Sequence, residues 1–89
     1  MYKNQEYETG YNIGYNKGEK DISQLLPPSP NTDGTDIYKE GYANGYLTRY
    51  TQVLSDKIKT NKNDKLHGLL KNHLYEARDC IVKQNNKQK

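Results

Sequence analysis

Tyr7-Glu-Thr-Gly10-Tyr11-Asn-Ile-Gly14-Tyr15-Asn-Lys-Gly18 and Tyr38-Lys-Glu-Gly41-Tyr42-Ala-Asn-Gly45-Tyr46-Leu-Thr-Arg49-Tyr50 carry one pattern, a glycine and a tyrosine every four residues. A strand alternates its side chains with a period of two, so a spacing of four marks a helical stripe. Each glycine inside a helix costs about 1 kcal/mol relative to alanine. Helices holding Gly10, Gly14, Gly18, Gly41 and Gly45 are therefore poor ones unless close packing against another surface offsets the loss. The spacing predicts two helices joined through Gly/Tyr faces. The second block repeats the first at an offset of 31 residues, Tyr7 to Tyr38. Two copies are too few for a solenoid but suit a pseudo-symmetric helical pair.

Outward from these blocks, the first helix is expected over about residues 3–26, with Ile22 and Leu25 continuing the Gly/Tyr face. Pro27-Pro28-Ser29-Pro30 ends it, because proline lacks the amide donor and disfavours helix in the residue before it. Asn31-Thr32-Asp33-Gly34 reads as a turn. A second helix is expected over 36–59, capped by Thr35 or Asp36. Its Gly/Tyr face meets the first helix, while Leu47, Leu54 and Ile58 form another face, which places it in the middle of the fold. Asn63 or Asp64 caps a third helix over 64–83, the clearest amphipathic one. Its stripe is Leu66, Leu69, Leu70, His73, Leu74, Ala77, Cys80 and Ile81, with Gly68 outside it. Residues 84–89 have nothing to bury and are expected to be disordered. The expected fold is one all-α domain over residues 1–89, an antiparallel Gly/Tyr-faced hairpin plus a C-terminal amphipathic helix.

Composition narrows the function. Leu, Ile and Val make up about 17% of the 89 residues and Phe is absent, so the core is thin for a domain already near the lower size limit. Self-association or a partner is one way to supply the missing buried area. The net charge is only +3, but it is unevenly spread. Residues 1–48 hold four basic and seven acidic side chains, and 49–89 hold ten basic and four acidic. A basic half attracts phosphates or an acidic protein surface, although lysine-rich helices also serve solubility alone. Cys80 is the single cysteine, which excludes an internal disulfide and a multi-cysteine metal site. The first residues lack the apolar run of a signal peptide, and no stretch has the length and apolarity of a transmembrane helix. A cytoplasmic location is expected, in the host cytoplasm for a phage or viral product, with no membrane partner.

No enzyme is expected. The glycines run G-x-x-x-G, unlike the dinucleotide fingerprint G-x-G-x-x-G, and no nucleophile elbow, phosphate loop or His/Glu zinc motif is present. His67 and His73 are six residues apart and fall on different helix faces, and His73 to Cys80 spans two turns, about 10 Å. Neither pair fits the bonds near 2 Å of one zinc. No metal or cofactor is expected, and His73 and Cys80 read as core-lining residues. Tyrosine rows stack on bases in single-strand binders, whereas stripes at helical spacing are core in most folds. Tyr11, Tyr15, Tyr42 and Tyr46 read first as core between the two helices, leaving anchor positions near Tyr7, Tyr38 and Arg49 at the mouth. Lys57, Lys59, Lys62 and Lys65, with Lys71, cluster around the turn between the second and third helices. The tail lysines Lys83, Lys87 and Lys89 could extend that patch.

Gly10-Tyr11-Asn-Ile-Gly14, the Pro27-Pro28 turn and Tyr42-Ala-Asn-Gly45-Tyr46 together resemble ribosome modulation factor and related short phage and bacterial proteins, over residues 7–50. Where that family carries tryptophans in its second helix, this chain has tyrosines, and the third helix has no counterpart there. The resemblance implies a small helical hairpin that binds a ribonucleoprotein.

The expected activity is that of a small regulator or inhibitor that binds a larger, nucleic-acid-handling machine. Its expected partner-binding residues are Arg49, Lys57, Lys59, Lys62 and Lys65, with Tyr7, Tyr38, Tyr42 and Tyr46 as ligand or anchor residues. The partner is a larger protein or ribonucleoprotein complex, RNA included. Two alternatives stand beside it: a phage or viral anti-defence factor that sequesters a nucleotide between Tyr/Gly helices, and a structural homo-oligomer such as a homodimer.

Overall fold

The computed structural model describes residues 4–87, with side chains through residue 84. It contains three helices, α1 (Gln5–Ser23), α2 (Asp36–Thr60) and α3 (Asp64–Lys87), and no strand among the described residues. Each helix start is capped by a short polar side chain. The Asn4 carboxamide oxygen accepts from the Glu6 and Tyr7 amides, Thr35 Oγ1 from the Tyr38 amide, and the Asn63 carboxamide oxygen from the Lys65 and Leu66 amides.

α1 and α2 join through their Gly/Tyr faces, as the four-residue spacing requires, but they run parallel rather than antiparallel. Contacts climb both helices together. Gly10 lies against Tyr38 and Tyr42, Gly14 against Tyr42, and Gly18 against Tyr46. In return Gly41 lies against Tyr7 and Tyr11, and Gly45 against Tyr11. The approach is backbone to backbone: a Cβ on Gly14 would lie 2.8 Å from the Tyr42 carbonyl carbon, and one on Gly45 equally close to that of Tyr11. Only glycine admits such a distance. The linker, residues 24–35, makes the parallel arrangement reachable. Returning to the start of α1 takes about 27 Å at 1.5 Å per residue, and an extended chain of this length reaches about 40 Å.

The linker is a strap along α2. It leaves α1 through a C-terminal motif in which the Leu26 amide donates to Asp21 O and the Leu25 amide to Ile22 O. Leu25 holds the left-handed position of that motif, φ 56°, which a non-glycine residue occupies at a cost of about 1–2 kcal/mol. This stop ends α1 at Ser23 rather than at residue 26. Leu25 packs on the core, a gain that offsets the backbone cost. The strap then passes Tyr50, whose hydroxyl donates to Leu26 O (2.7 Å), and Tyr46, whose hydroxyl accepts from the Ser29 amide (2.9 Å). Gly34, at φ 134°, turns the chain into α2.

The antiparallel hairpin of this fold lies between α2 and α3. Near its turn His67 Nε2 sits 2.7 Å from Ile58 O; a carbonyl only accepts, so this nitrogen carries the proton. At the far end Ile81 and Gln84 lie beside Asn44 and Leu47. α2 is the central helix, with α1 and α3 each packed on it and no close backbone approach between α1 and α3 among the described residues. Its Tyr42, Tyr46, Leu47, Tyr50 and Leu54 join Ile22, Leu70 and Ala77 in the core. Of the expected α3 stripe, Leu70, His73 and Ala77 are buried, whereas Leu69 is 43% exposed at the edge. α3 also continues to Lys87 instead of dissolving at residue 84. The Lys83–Asp79 pair, four residues apart at 3.1 Å, and a run of fair helix formers support the added turn. Residues 88 and 89 of the expected disordered tail lie outside the described residues.

Candidate functional site

Tyrosines four residues apart stack along each helix. On α1 the ring centroids of Tyr7, Tyr11 and Tyr15 are 6.3 and 6.2 Å apart, and on α2 Tyr38, Tyr42, Tyr46 and Tyr50 continue at 6.4, 6.2 and 5.7 Å. Because the helices are parallel, the ladders flank opposite sides of the Gly/Gly seam. The α2 ladder looks onto Lys17 and Asp21 of α1, and the α1 ladder onto Asn44 and Arg49 of α2.

The two sides differ in what covers them. On the α2 side Tyr42 is 7% exposed, and Tyr46 and Tyr50 are fully buried. The Tyr46 hydroxyl donates to Asp21 Oδ2 at 2.6 Å, and Lys17 Nζ lies 3.3 Å from the other Asp21 oxygen. Ser29 N–H, Tyr46 O–H, Asp21 and Lys17 thus form one connected chain. Burial pushes all three phenols above the ordinary tyrosine range, with the Asp21 hydrogen bond adding to the effect at Tyr46. Tyr42 and Tyr46 are therefore core, not exposed anchors. Tyr7 and Tyr38 are half-buried, and the Tyr7 hydroxyl accepts from Asn44 Nδ2 at 2.8 Å.

On the α1 side Tyr7, Tyr11 and Tyr15 stay half-exposed. A cleft of about 310 Å³, lined by Asn44, Leu47, Thr48, Thr51, Ile81 and Gln84, runs between α2 and α3 next to the Asn44 bonded to Tyr7. Arg49 closes the end of the α1 ladder. Its guanidinium lies 5.3 Å from the Tyr15 ring centroid, bonds Gln52 at 2.9 Å and pairs with Glu19, whose hydrogen bond drives its pKa higher still. Arg49 is thus committed to the α1–α2 seam, and its charge is matched by Glu19. The sequence grouped it with the four lysines as an electrostatic contact, but the structure sets it apart from them, beside Tyr15 and Glu19.

The four lysines do come together. Lys57 lies in the last turn of α2 and is half-exposed, Lys59 follows it, and Lys62 and Lys65 lie on either side of the start of α3; these last three are exposed. None has an ion-pair partner among the described residues. A smaller cavity of about 240 Å³ at this end is lined by Ser23, Leu25, Lys57, Thr60, Leu66 and Leu70, among others. The opposite end gathers acids: Glu6 and Glu8 in the first turn of α1 and Asp36 in that of α2, with Thr35 Oγ1 donating to Glu6. The molecule is 44 Å long and about 25 Å across.

Between α1 and α2 there is no room for a nucleotide, since even a methyl group would overlap backbone there. No group of three His, Cys, Asp or Glu placed to hold a metal occurs among the described residues. His73 is 7% exposed with neither ring nitrogen hydrogen-bonded, and Cys80 is half-buried, its thiol pushed up by burial. No helix is long and apolar enough to cross a membrane among the described residues. No protein-family model matches the chain, and neither a curated protein nor a solved structure matches it.

Proposed function

We propose that this protein is a small, non-catalytic regulator that binds a larger, nucleic-acid-handling partner through its α2–α3 end. The observation that carries this reading is the group Lys57, Lys59, Lys62 and Lys65, exposed or half-exposed at one end of an elongated body and without ion-pair partners among the described residues. Helix electrostatics account for part of it: Lys57 and Lys59 sit in the last turn of α2, where the dipole favours cations. They do not account for Lys65, which lies in the first turn of α3 where a cation is disfavoured. A cation placed against its local preference suits an external anion. The resemblance of residues 7–50 to ribosome modulation factor also suggests a ribonucleoprotein, but the hairpin that it implies is replaced here by a parallel pair, so the lysine group carries the reading.

The test is binding of single-stranded RNA and of ribosomes to the wild type and to a variant with all four lysines changed to glutamate. If the lysines each neutralise a phosphate, the slope of log K against log salt flattens by about 3 in the variant. Binding that survives the reversal with an unchanged salt slope defeats the assignment. Circular dichroism serves as the fold control, since none of the four side chains belongs to the core.

A further inference from the structure

At the lysine-bearing end, the last turns of α1 and α2 meet the start of α3 around the cavity of about 240 Å³. Part of its wall is aliphatic, with Leu70 buried and Leu25 and Leu66 half-buried. The rest is polar and comes from Ser23, Thr60 and Asn61. Their own helix ends fix what these groups can offer. Ser23 Oγ donates to Glu19 O at 2.7 Å and Thr60 Oγ1 to Asp56 O at 2.9 Å, so each hydroxyl has its proton engaged and can only accept. Asn61 Oδ1 accepts from the Asn63 amide at 2.8 Å, which leaves its Nδ2 group as the donor. Lys57 lines the same cavity, so one of the four clustered charges stands at its edge.

We propose that this cavity receives one unstacked base of a bound RNA single strand, a base bearing an exocyclic amino group, with Lys57 and its neighbours on the adjoining phosphates. This rests on the lysine reading and adds a base contact to it. A nucleobase has apolar faces and a polar edge, the same division that the leucines and the polar groups make here. Unstacked bases are recognised in this way, against apolar side chains and through hydrogen bonds at their edges. An exocyclic amino group carries two N–H donors, one for each accepting hydroxyl, and the ring nitrogen beside it accepts from Asn61 Nδ2. Uracil has a single N–H at that edge and satisfies only one hydroxyl. An aliphatic side chain from an acidic protein segment suits the leucines equally, but it leaves Ser23, Thr60 and Asn61 covered without partners, which is costly.

The probes are uridine oligonucleotides of about twelve nucleotides, unsubstituted or carrying one central adenosine or cytidine, so that the phosphates stay constant. Binding to the full chain is followed by fluorescence anisotropy at about 50 mM salt. The adenosine and cytidine strands are expected to bind about tenfold more tightly than the uridine strand. The double variant Ser23→Ala/Thr60→Ala, at two exposed positions, should cut that preference below about threefold and leave uridine affinity and its salt slope unchanged. Equal, salt-dependent binding of all three strands overturns the base contact and leaves the lysine reading standing. A preference that survives the double variant does the same. No binding of any strand removes both. A glutamate-rich peptide with one central leucine that binds more tightly than every strand also overturns the base contact, in favour of an acidic protein segment.

Discussion

At the scale of single residues, the glycines divide into two kinds that look alike in sequence. Gly14 and Gly45 sit where any Cβ would overlap a carbonyl of the facing helix, whereas a Cβ on Gly68 would meet nothing within 4 Å. Gly14→Ala or Gly45→Ala should therefore destabilise the fold by more than about 3 kcal/mol or abolish cooperative unfolding, since backbone cannot yield as a side chain does. Gly68→Ala, in an exposed helix interior, should stabilise by about 1 kcal/mol. Urea unfolding of the variants checks both signs. Tyr46 makes a second residue-scale case. Its hydroxyl is the donor to the buried Asp21 carboxylate and the acceptor for Ser29 N–H. Tyr46→Phe leaves both without that partner and should cost about 2 kcal/mol. A loss below about 0.5 kcal/mol in the same unfolding experiment would mean that water restores those bonds.

At the scale of elements, the α2 ladder makes stability depend on alkaline pH. Burial raises the Tyr42, Tyr46 and Tyr50 phenols above the ordinary tyrosine range, so the folded state favours their neutral forms. Their contribution is complete below about pH 10 and is lost as pH rises through the higher folded values. Ultraviolet titration should show these three of the nine tyrosines ionising late, together with loss of helical circular dichroism. Urea-unfolded protein should titrate without that lag. Which phenols would be buried was half legible. The four-residue spacing identified the stripe, and the cap signals at Thr35 and Asn63 located helix starts closely. Spacing treats Tyr15 and Tyr46 alike, however, and the strap, whose Ser29 amide bonds Tyr46 alone of the two, distinguishes them. The strap escaped notice because Pro27-Pro28-Ser29-Pro30 reads as a helix stop, and a stop carries no information about where the chain goes next. Leu25 hid the end of α1 for a related reason, since the left-handed cap position normally announces itself with glycine.

At the scale of the whole molecule, helix direction is what the stripe could not reveal, because a period of four is the same read in either direction. The linker did hold the information. Helix–helix connections between antiparallel neighbours run about 2–8 residues, and residues 24–35 exceed that, whereas residues 61–63 between α2 and α3 are short and join an antiparallel pair. Parallel α1 and α2 align their dipoles side by side, and the acids at their starts and α3 running the other way relieve that alignment. The parallel arrangement therefore depends on the length of the strap, and this can be tested apart from its contacts. Deleting residues 26–31 leaves a connection that reaches about 20 Å when fully extended, less than the return of about 27 Å along α1, so the Gly/Tyr seam cannot close. An antiparallel pair would tolerate the same deletion. Replacing residues 26–31 with glycine and serine at equal length removes the prolines and Leu26 but keeps the reach. The replacement should fold with reduced stability, whereas the deletion should lose the cooperative transition and the late-ionising phenols together. A deletion variant that unfolds cooperatively with wild-type tyrosine titration would show that the seam closes without the return path, and the parallel topology would have to be abandoned.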